Sequence, residues 1–129
     1  MTIFLNFVSL IFIFFIFIFN NSNFAFSIGN VDWVLLKENN EGKEWLDMGS
    51  IKIIRDNEIS VLTKFLKNPK DASDKEQLSL YVMKIDCNNK KFKDTSINGI
   101  PQFNSKWQTS NNDELIDVVI DKSCSEIIN

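Results

Sequence analysis

The side chains that could carry chemistry in this 129-residue chain are acidic, basic or sulfur-containing, because the sequence contains no histidine. Without an imidazole, neither a Ser-His-Asp nor a Cys-His nucleophilic system can be assembled, and ordinary imidazole ligation of a metal is excluded as well. The remaining catalytic option is an acid/base pair of carboxylates, for which Asp32, Asp47 and Asp86 are the candidates. Aspartates at turns and strand ends are far commoner than catalytic pairs. We therefore predict no catalytic site, no metal site and no cofactor.

Four lysines form the candidate binding patch of the sequence: Lys84, Lys90, Lys91 and Lys93. Together they could attract lipid headgroups, a polysaccharide or an acidic protein. The alternative interpretation is that they protect an exposed sheet edge from pairing with another strand, which natural sheets commonly require. The sequence favours edge protection.

Asp113, Asp117 and Asp121 recur every four residues, so they would form a stripe along one side of a helix. A calcium-binding surface is conceivable, although calcium sites usually draw on loop oxygens as well. A solvated acidic stripe is the preferred interpretation.

The three tryptophans are the other candidates for a recognition surface. Trp33, Trp45 and Trp107 could line a groove, since aromatic residues are enriched among interface anchors. In so small a domain we expect them to be core residues instead.

The first 27 residues differ in composition from the rest of the chain and predict an export signal. They contain nine of the twelve phenylalanines and none of the charged residues. An apolar run over residues 3–19 is followed by a polar break and by Ala25-Phe26-Ser27, which places small residues where a signal peptidase cleaves. We predict a signal peptide over residues 1–27, cleaved after Ser27, and one domain over residues 28–129. Because no Lys or Arg precedes the apolar run, an uncleaved membrane anchor remains the alternative.

The charge balance and the cysteines describe the predicted domain further. All 14 basic and 17 acidic residues lie in residues 28–129, giving a net charge of −3, whereas a DNA-binding domain would usually be basic. We therefore predict no nucleic-acid partner. Two cysteines behind an export signal, Cys87 and Cys124, predict a disulfide. Two free buried thiols or a metal pair are the competing interpretations, and the metal pair lacks histidine partners.

The elements that must position these residues are mostly strands, separated by turn signals at Asp56-Asn57 and, as a two-residue turn, at Asn88-Asn89. Apolar and β-branched residues predict strands over residues 31–37, 45–48 with 51–55, 59–66, 78–87 and 90–97, and one more short strand over 103–109. In the strand that ends at Cys87, the cysteine shares an apolar face with Met83 and Ile85.

A helix closes the predicted domain. Asn111 followed by Glu114 resembles a capping box. The apolar stripe of this helix consists of Leu115, Ile116, Val119 and Ile120. Cys124 falls four residues beyond Ile120, on the side of the helix that would face the sheet.

The order of these features resembles the surface-adhesin protein E family. The features are, in order, Asp32-Trp33-Val34, WLDMGSIK at residues 45–52, Ile85-Asp86-Cys87, Trp107 and the helix that ends in Cys124. The resemblance covers nearly all of residues 31–124 and rests chiefly on Asp47-x-x-Ser50-Ile51 and Asp86-Cys87. It implies a small exported bacterial domain with an antiparallel sheet, a packed C-terminal helix and a disulfide. Where members often carry an arginine after the Asp-Cys pair, this chain has lysines.

We therefore expect an exported α+β protein, with an antiparallel sheet of about five to six strands and one C-terminal helix held to it by a disulfide. The expected function is that of a non-catalytic envelope or surface binding module in the periplasm, on the cell surface or in the medium. Its partner would be another envelope or extracellular protein or a polysaccharide, and it would meet the membrane only through an uncleaved N-terminal segment. The family is named for an adhesin that engages host matrix proteins. The alternative is an exported inhibitor or envelope stress module that acts on another protein, such as a cell-wall hydrolase.

Overall fold

The computed structural model describes residues 30–71 and 73–127, in which a six-stranded antiparallel sheet carries one helix on one of its faces. Each strand pairs with the strand that follows it in the chain, so the sheet is a simple meander. The elements are β1 (Trp33–Glu38), β2 (Gly42–Arg55), β3 (Glu58–Lys67), β4 (Gln77–Asp86), β5 (Lys91–Ile97), β6 (Ile100–Pro101) and α1 (Glu114–Ser125). The predicted fold class is confirmed.

The predicted signal peptide, residues 1–27, lies outside the described residues. Within the part of the chain that the structure describes, no helix is long and apolar enough to cross a membrane.

The core lies between the sheet and α1, because alternate residues of the central strands point towards the helix. Ile59 and Val61 of β3 are buried on this side and pair in register with Ile85 and Met83 of β4. The buried apolar residues are Leu46, Ile59, Val61, Met83, Ile85, Phe92, Leu115, Val119 and Ile120. The predicted apolar stripe of the helix therefore faces the sheet. We call this side of the sheet the helix-covered face.

β2 is one long strand that passes through Gly49 and Ser50, as the sequence indicated, and it begins at Gly42. Its pairing with β3 is irregular between Asp47 and Lys52. The Ser50 hydroxyl spans this irregularity, because it donates to the Asp47 carbonyl oxygen at 2.6 Å and accepts from the Leu62 N–H at 2.7 Å. A side chain thus replaces the missing ladder contact, and the strand continues to Arg55.

The two predicted tight turns have different outcomes. Asp56-Asn57 joins β2 to β3, with Asn57 in the left-handed region at φ 61°. The two-residue turn at Asn88-Asn89 is wrong, because Asp86 and Lys91 are the last pair of β4 and β5 and residues 87–90 form a four-residue loop. The Asp86 carboxylate accepts from the backbone N–H groups of Asn88 and Asn89, each at 3.1 Å, which fixes the longer loop.

The helix begins at Glu114, later than the predicted capping box implies, and has a different cap. The Asp113 carboxylate accepts from the N–H groups of Leu115 and Ile116 at 2.9 and 3.3 Å and is the N-cap of α1. Asn111 lies in the left-handed region at φ 52°, in the turn before the helix. The predicted capping role of Asn111 is therefore wrong.

A disulfide between Cys87 and Cys124 joins the end of β4 to the last turn of α1, across 37 positions of the chain. The two Cα atoms lie 5.6 Å apart, which is an ordinary spacing for such a bond. The predicted disulfide is confirmed.

The prediction of an additional strand over residues 103–109 is wrong, because the short strand after β5 lies earlier in the chain. β6 consists of Ile100 and Pro101. Gln108 forms only an isolated bridge to Phe92, whose N–H and carbonyl oxygen each make a 2.9 Å hydrogen bond to Gln108. This bridge holds the segment before the helix against the first half of β5.

Candidate binding surface

The side of the sheet opposite the helix-covered face is the candidate site, and we call it the open face. Strand alternation and register place on it, among others, Trp33, Leu35, Trp45, Leu62, Lys64, Leu78, Leu80, Val82, Lys84, Asp86, Lys91 and Lys93, with Trp107 beside them. The helix contacts strands β1 to β3 from the other side. Among the described residues, no helix therefore covers this surface of tryptophans, aliphatic residues and lysines.

One half of the open face is organised by Lys64, which lies between two tryptophans. Its ammonium nitrogen is 4.7 Å from the ring centroid of Trp33 and 4.5 Å from that of Trp45. Such contacts attract the cation to the negative faces of the rings and hold all three side chains in place. Both tryptophans are half-buried, and the core contains neither of them. Their predicted core location is therefore wrong.

In the other half of the open face, two of the four lysines of the candidate patch lie directly opposite each other. Lys84 of β4 and Lys93 of β5 are direct cross-strand partners. The Lys93 ammonium nitrogen also lies 4.8 Å from the ring centroid of Trp107, so Trp107 belongs to this surface and not to the core. Like charges directly opposite each other in a sheet repel, so the pair concentrates positive charge at a cost in stability.

The remaining two lysines of the patch point to different neighbours. Lys90 lies in the β4–β5 loop and forms an ion pair with Asp121 of α1, with 2.9 Å between nitrogen and oxygen. This contact raises the pKa of Lys90 above its usual range. Lys91 faces Asp86 across the β4–β5 pair. The structure therefore brings Lys84 and Lys93 together and directs Lys90 towards the helix.

The interpretation that the lysines protect a sheet edge fits Lys91 and Lys93 of β5 better than it fits Lys84. β4 is an interior strand, paired with β3 and β5, so Lys84 does not lie on an edge. β5 pairs with β6 only at Ser96 and Ile97. In the part of the chain that the structure describes, the other half of β5, with Lys91 and Lys93, is therefore covered only by the Gln108 bridge.

The candidate catalytic aspartates make local structural hydrogen bonds. The Asp47 carboxylate accepts from the N–H groups of Asp32 and Gly49 at 2.8 and 3.1 Å, and thus ties the start of the domain to the irregularity in β2. Asp86 holds the β4–β5 loop, and hydrogen bonds from Asn89 and Asn88 lower its pKa. Asp47 and Ser50, which carried much of the family resemblance, therefore stabilise the irregular part of β2.

A model of the surface adhesin-E family matches residues 34–129. The chain belongs to the surface adhesin-E family. The match contains nearly all of β1, the other five strands and α1, so it covers both the open face and the helix-covered face. No curated protein and no solved structure gives a significant match. The resemblance inferred from the residues is thereby confirmed.

Sequence reasoning did not identify Lys64, Leu78 and Leu80 as part of the candidate surface. Alternation alone places Lys64 on the other side of β3 from Val61 and Thr63, and so away from the core. The signal that was missing is the strand order, which brings Lys64 beside the tryptophans of β1 and β2.

Proposed function

We propose that this chain is an exported, non-catalytic, adhesin-like module whose open face binds an acidic surface of another extracellular protein. The observation that carries the proposal is the pair of opposed lysines, Lys84 and Lys93, within a surface of exposed leucines and half-buried tryptophans. Membership in a surface-adhesin family supports binding, and not catalysis, as the activity of the domain.

The apolar part of the open face supports a protein partner. Leu35, Leu78 and Leu80 are 48%, 54% and 38% exposed, and they lie on one side of the sheet with Trp33 and Trp45. Aromatic and aliphatic side chains gathered on a surface are typical of protein interfaces and would be buried in a complex.

The charges of the open face support an acidic partner. Carboxylates of a partner placed near Lys84 and Lys93 would relieve the repulsion between the two ammonium groups. Lys64, already held between Trp33 and Trp45, offers a third positive charge in a fixed position. Because exposed charges are screened by salt, the affinity should fall as ionic strength rises.

Export is the second part of the proposal. We propose that residues 1–27 are a signal peptide removed after Ser27, and that residues 28–129 are the mature domain. The mass of the protein recovered from outside the cytoplasm tests this directly. A mass that begins at Ile28 supports cleavage, whereas a full-length, membrane-bound product supports the N-terminal anchor.

The binding proposal is tested with the exported protein and a set of immobilised acidic extracellular-matrix glycoproteins, measured by surface plasmon resonance. The variant Lys84→Glu/Lys93→Glu reverses the paired charges on the open face. Its matched control, Lys70→Glu/Lys75→Glu, makes the same change of charge in the exposed β3–β4 loop. We expect at least one glycoprotein to bind, with affinity reduced about tenfold or more by the first variant and little by the second.

Three results would contradict the proposal. Equal losses in both double variants would show that only overall charge matters. Binding that persists after Lys84→Glu/Lys93→Glu would place the interface elsewhere. Competition by a soluble acidic polysaccharide, with no binding to a deglycosylated partner, would assign the surface to carbohydrate and refute the protein partner.

A further inference from the structure

A cavity of about 320 Å³ lies on the helix-covered face, beside the first turn of α1. Its floor consists of side chains from β2 to β5, and Asp113 and Leu115 of the helix start form part of its rim. Small-molecule sites usually measure roughly 300–1,000 Å³, so this cavity has room for a small organic molecule. It lies on the other side of the sheet from the open face and is independent of the binding function proposed above.

The polar groups of the cavity are mainly carboxylates. Glu41, Glu44, Asp94 and Asp113 line it, and its lining contains no lysine or arginine. Glu44 is only 3% exposed. Among residues 30–71 and 73–127, the ion pairs include neither Glu44 nor Asp94 nor Asp113. A buried carboxylate without a counter-ion is costly, so the cavity lacks a positive charge that a ligand could supply.

The charged neighbour that could neutralise Glu44 is engaged elsewhere. Lys37 of β1 is the cross-strand partner of Glu44, but its ammonium nitrogen lies 2.7 Å from a carboxylate oxygen of Glu114. From β4, the phenol of Tyr81 lines the cavity as a polar but uncharged group. The first turn of the helix therefore takes the cation that the cavity would otherwise use.

The electrostatics of the cavity follow from this arrangement. Burial raises the pKa of Glu44 to about 8; a hydrogen bond with Thr63 acts in the opposite direction, and the charges of Asp113 and Asp94 raise the pKa further. Burial also raises the pKa of Asp94. In the unliganded protein, Glu44 is therefore mostly protonated at neutral pH.

The walls of the cavity are apolar and aromatic. Phe65, Tyr81 and Phe92 line it together with Met83. Aromatic rings contact the apolar body of a ligand well, and their faces attract cations. Carboxylates combined with aromatic walls suit a molecule that carries one positive charge on an apolar body.

We infer that this cavity is a binding site for a small organic amine, whose ammonium group is held by Glu44 and attracted by the charges of Asp94 and Asp113, and whose apolar body contacts the aromatic walls. A bare metal ion fits the cavity less well. Within the described part of the chain, no three acidic or cysteine side chains are close enough together to hold a metal ion. One buried carboxylate beside aromatic walls instead suits the ammonium group of an organic cation.

Binding is expected to release a proton. An ammonium group beside Glu44 favours the charged carboxylate, so Glu44 loses its proton to solvent when the amine binds. Below the pKa of about 8, the affinity should therefore rise with pH by up to about tenfold per unit. A carboxylate with a purely structural role would produce no such dependence.

The test is isothermal titration of the exported protein with phenethylammonium, and with 2-phenylethanol as a neutral molecule of similar shape. We expect saturable binding of the amine, with affinity about tenfold or more above that of the alcohol and increasing from about pH 6 to pH 8. Titrations in two buffers of different ionisation enthalpy measure the released proton.

Glu44→Gln keeps the shape of the side chain and should abolish both the pH dependence and the proton release. Glu76→Gln, in the exposed loop before β4, is the matched control and should leave both unchanged. Asp94→Asn should also weaken amine binding, and it provides a second test in case Glu44→Gln does not fold. No saturable amine binding, equal affinity for amine and alcohol, or a pH dependence that survives in a folded Glu44→Gln protein would overturn the proposal.

Discussion

Glu44→Gln should change how the stability of this protein depends on pH. The folded-state pKa of Glu44, about 8, lies well above the ordinary value of 4.5. Between these two values the folded protein retains a proton that the unfolded chain has released. Stability from this group is therefore complete below about pH 4.5 and is lost progressively as pH rises towards 8. A glutamine side chain does not titrate, so the variant should lose this dependence.

The size of the effect follows from one proton per molecule. A full proton difference corresponds to about 1.4 kcal/mol of unfolding free energy per pH unit. With the pKa values of the folded and unfolded states, the wild type should lose roughly 2 kcal/mol relative to Glu44→Gln between pH 6 and pH 8. Glu44 is almost fully buried, so solvent screening should reduce this value little.

Other groups with shifted pKa values contribute in both proteins or leave this pH range unchanged. Asp94 has a raised pKa and contributes in the same direction, in both proteins. Asp86 has a lowered pKa, and its contribution is already complete above its ordinary value of 3.8. The pKa of Lys90 is raised from 10.5, beyond the upper end of the range. The difference between wild type and variant therefore isolates Glu44.

The measurement is urea unfolding at pH steps from about 5 to 8, under oxidising conditions that keep the disulfide formed. Glu76→Gln serves as the control for loss of one carboxylate at an exposed site. Parallel pH profiles for wild type and Glu44→Gln would refute the argument, since they would show that Glu44 is charged in the folded protein throughout the range.

Two further predictions concern α1. Replacing Cys87 and Cys124 together by serine should lower the unfolding free energy by about 3.8 kcal/mol, because it removes a cross-link across 37 positions. Chemical unfolding of the oxidised wild type and of the double variant measures this difference. A loss below about 1 kcal/mol would contradict the prediction. Ser123→Ala should raise stability by up to about 1 kcal/mol, because the hydroxyl is fully buried and finds no hydrogen-bond partner among the described residues. A lower melting temperature for Ser123→Ala would indicate that the hydroxyl has a favourable contact after all.

Local patterns account for most of the secondary structure. Alternation identified the buried side of β3 through Ile59 and Val61, and helical spacing identified the buried side of α1. Both periods are set by backbone geometry within a few residues, so they are visible in the sequence. The predictions of the β4–β5 turn and of the helix cap were wrong because asparagine and aspartate have similar turn and capping preferences. Asn88 and Asn111 were therefore chosen for roles that Asp86 and Asp113 fill.

The sequence by itself determined that the domain would be a sheet with one C-terminal helix, and that Cys87 and Cys124 would lie on facing sides of the two. Only the tertiary structure decided which side of the sheet the helix leaves open, and hence that Trp33 and Trp45 hold Lys64 on a surface and not in the core. The physical reason is that side-chain direction is local, whereas the neighbours of a strand depend on contacts between distant parts of the chain. For the same reason Glu44, a charged residue that composition alone would place in solvent, lies buried beside the start of α1.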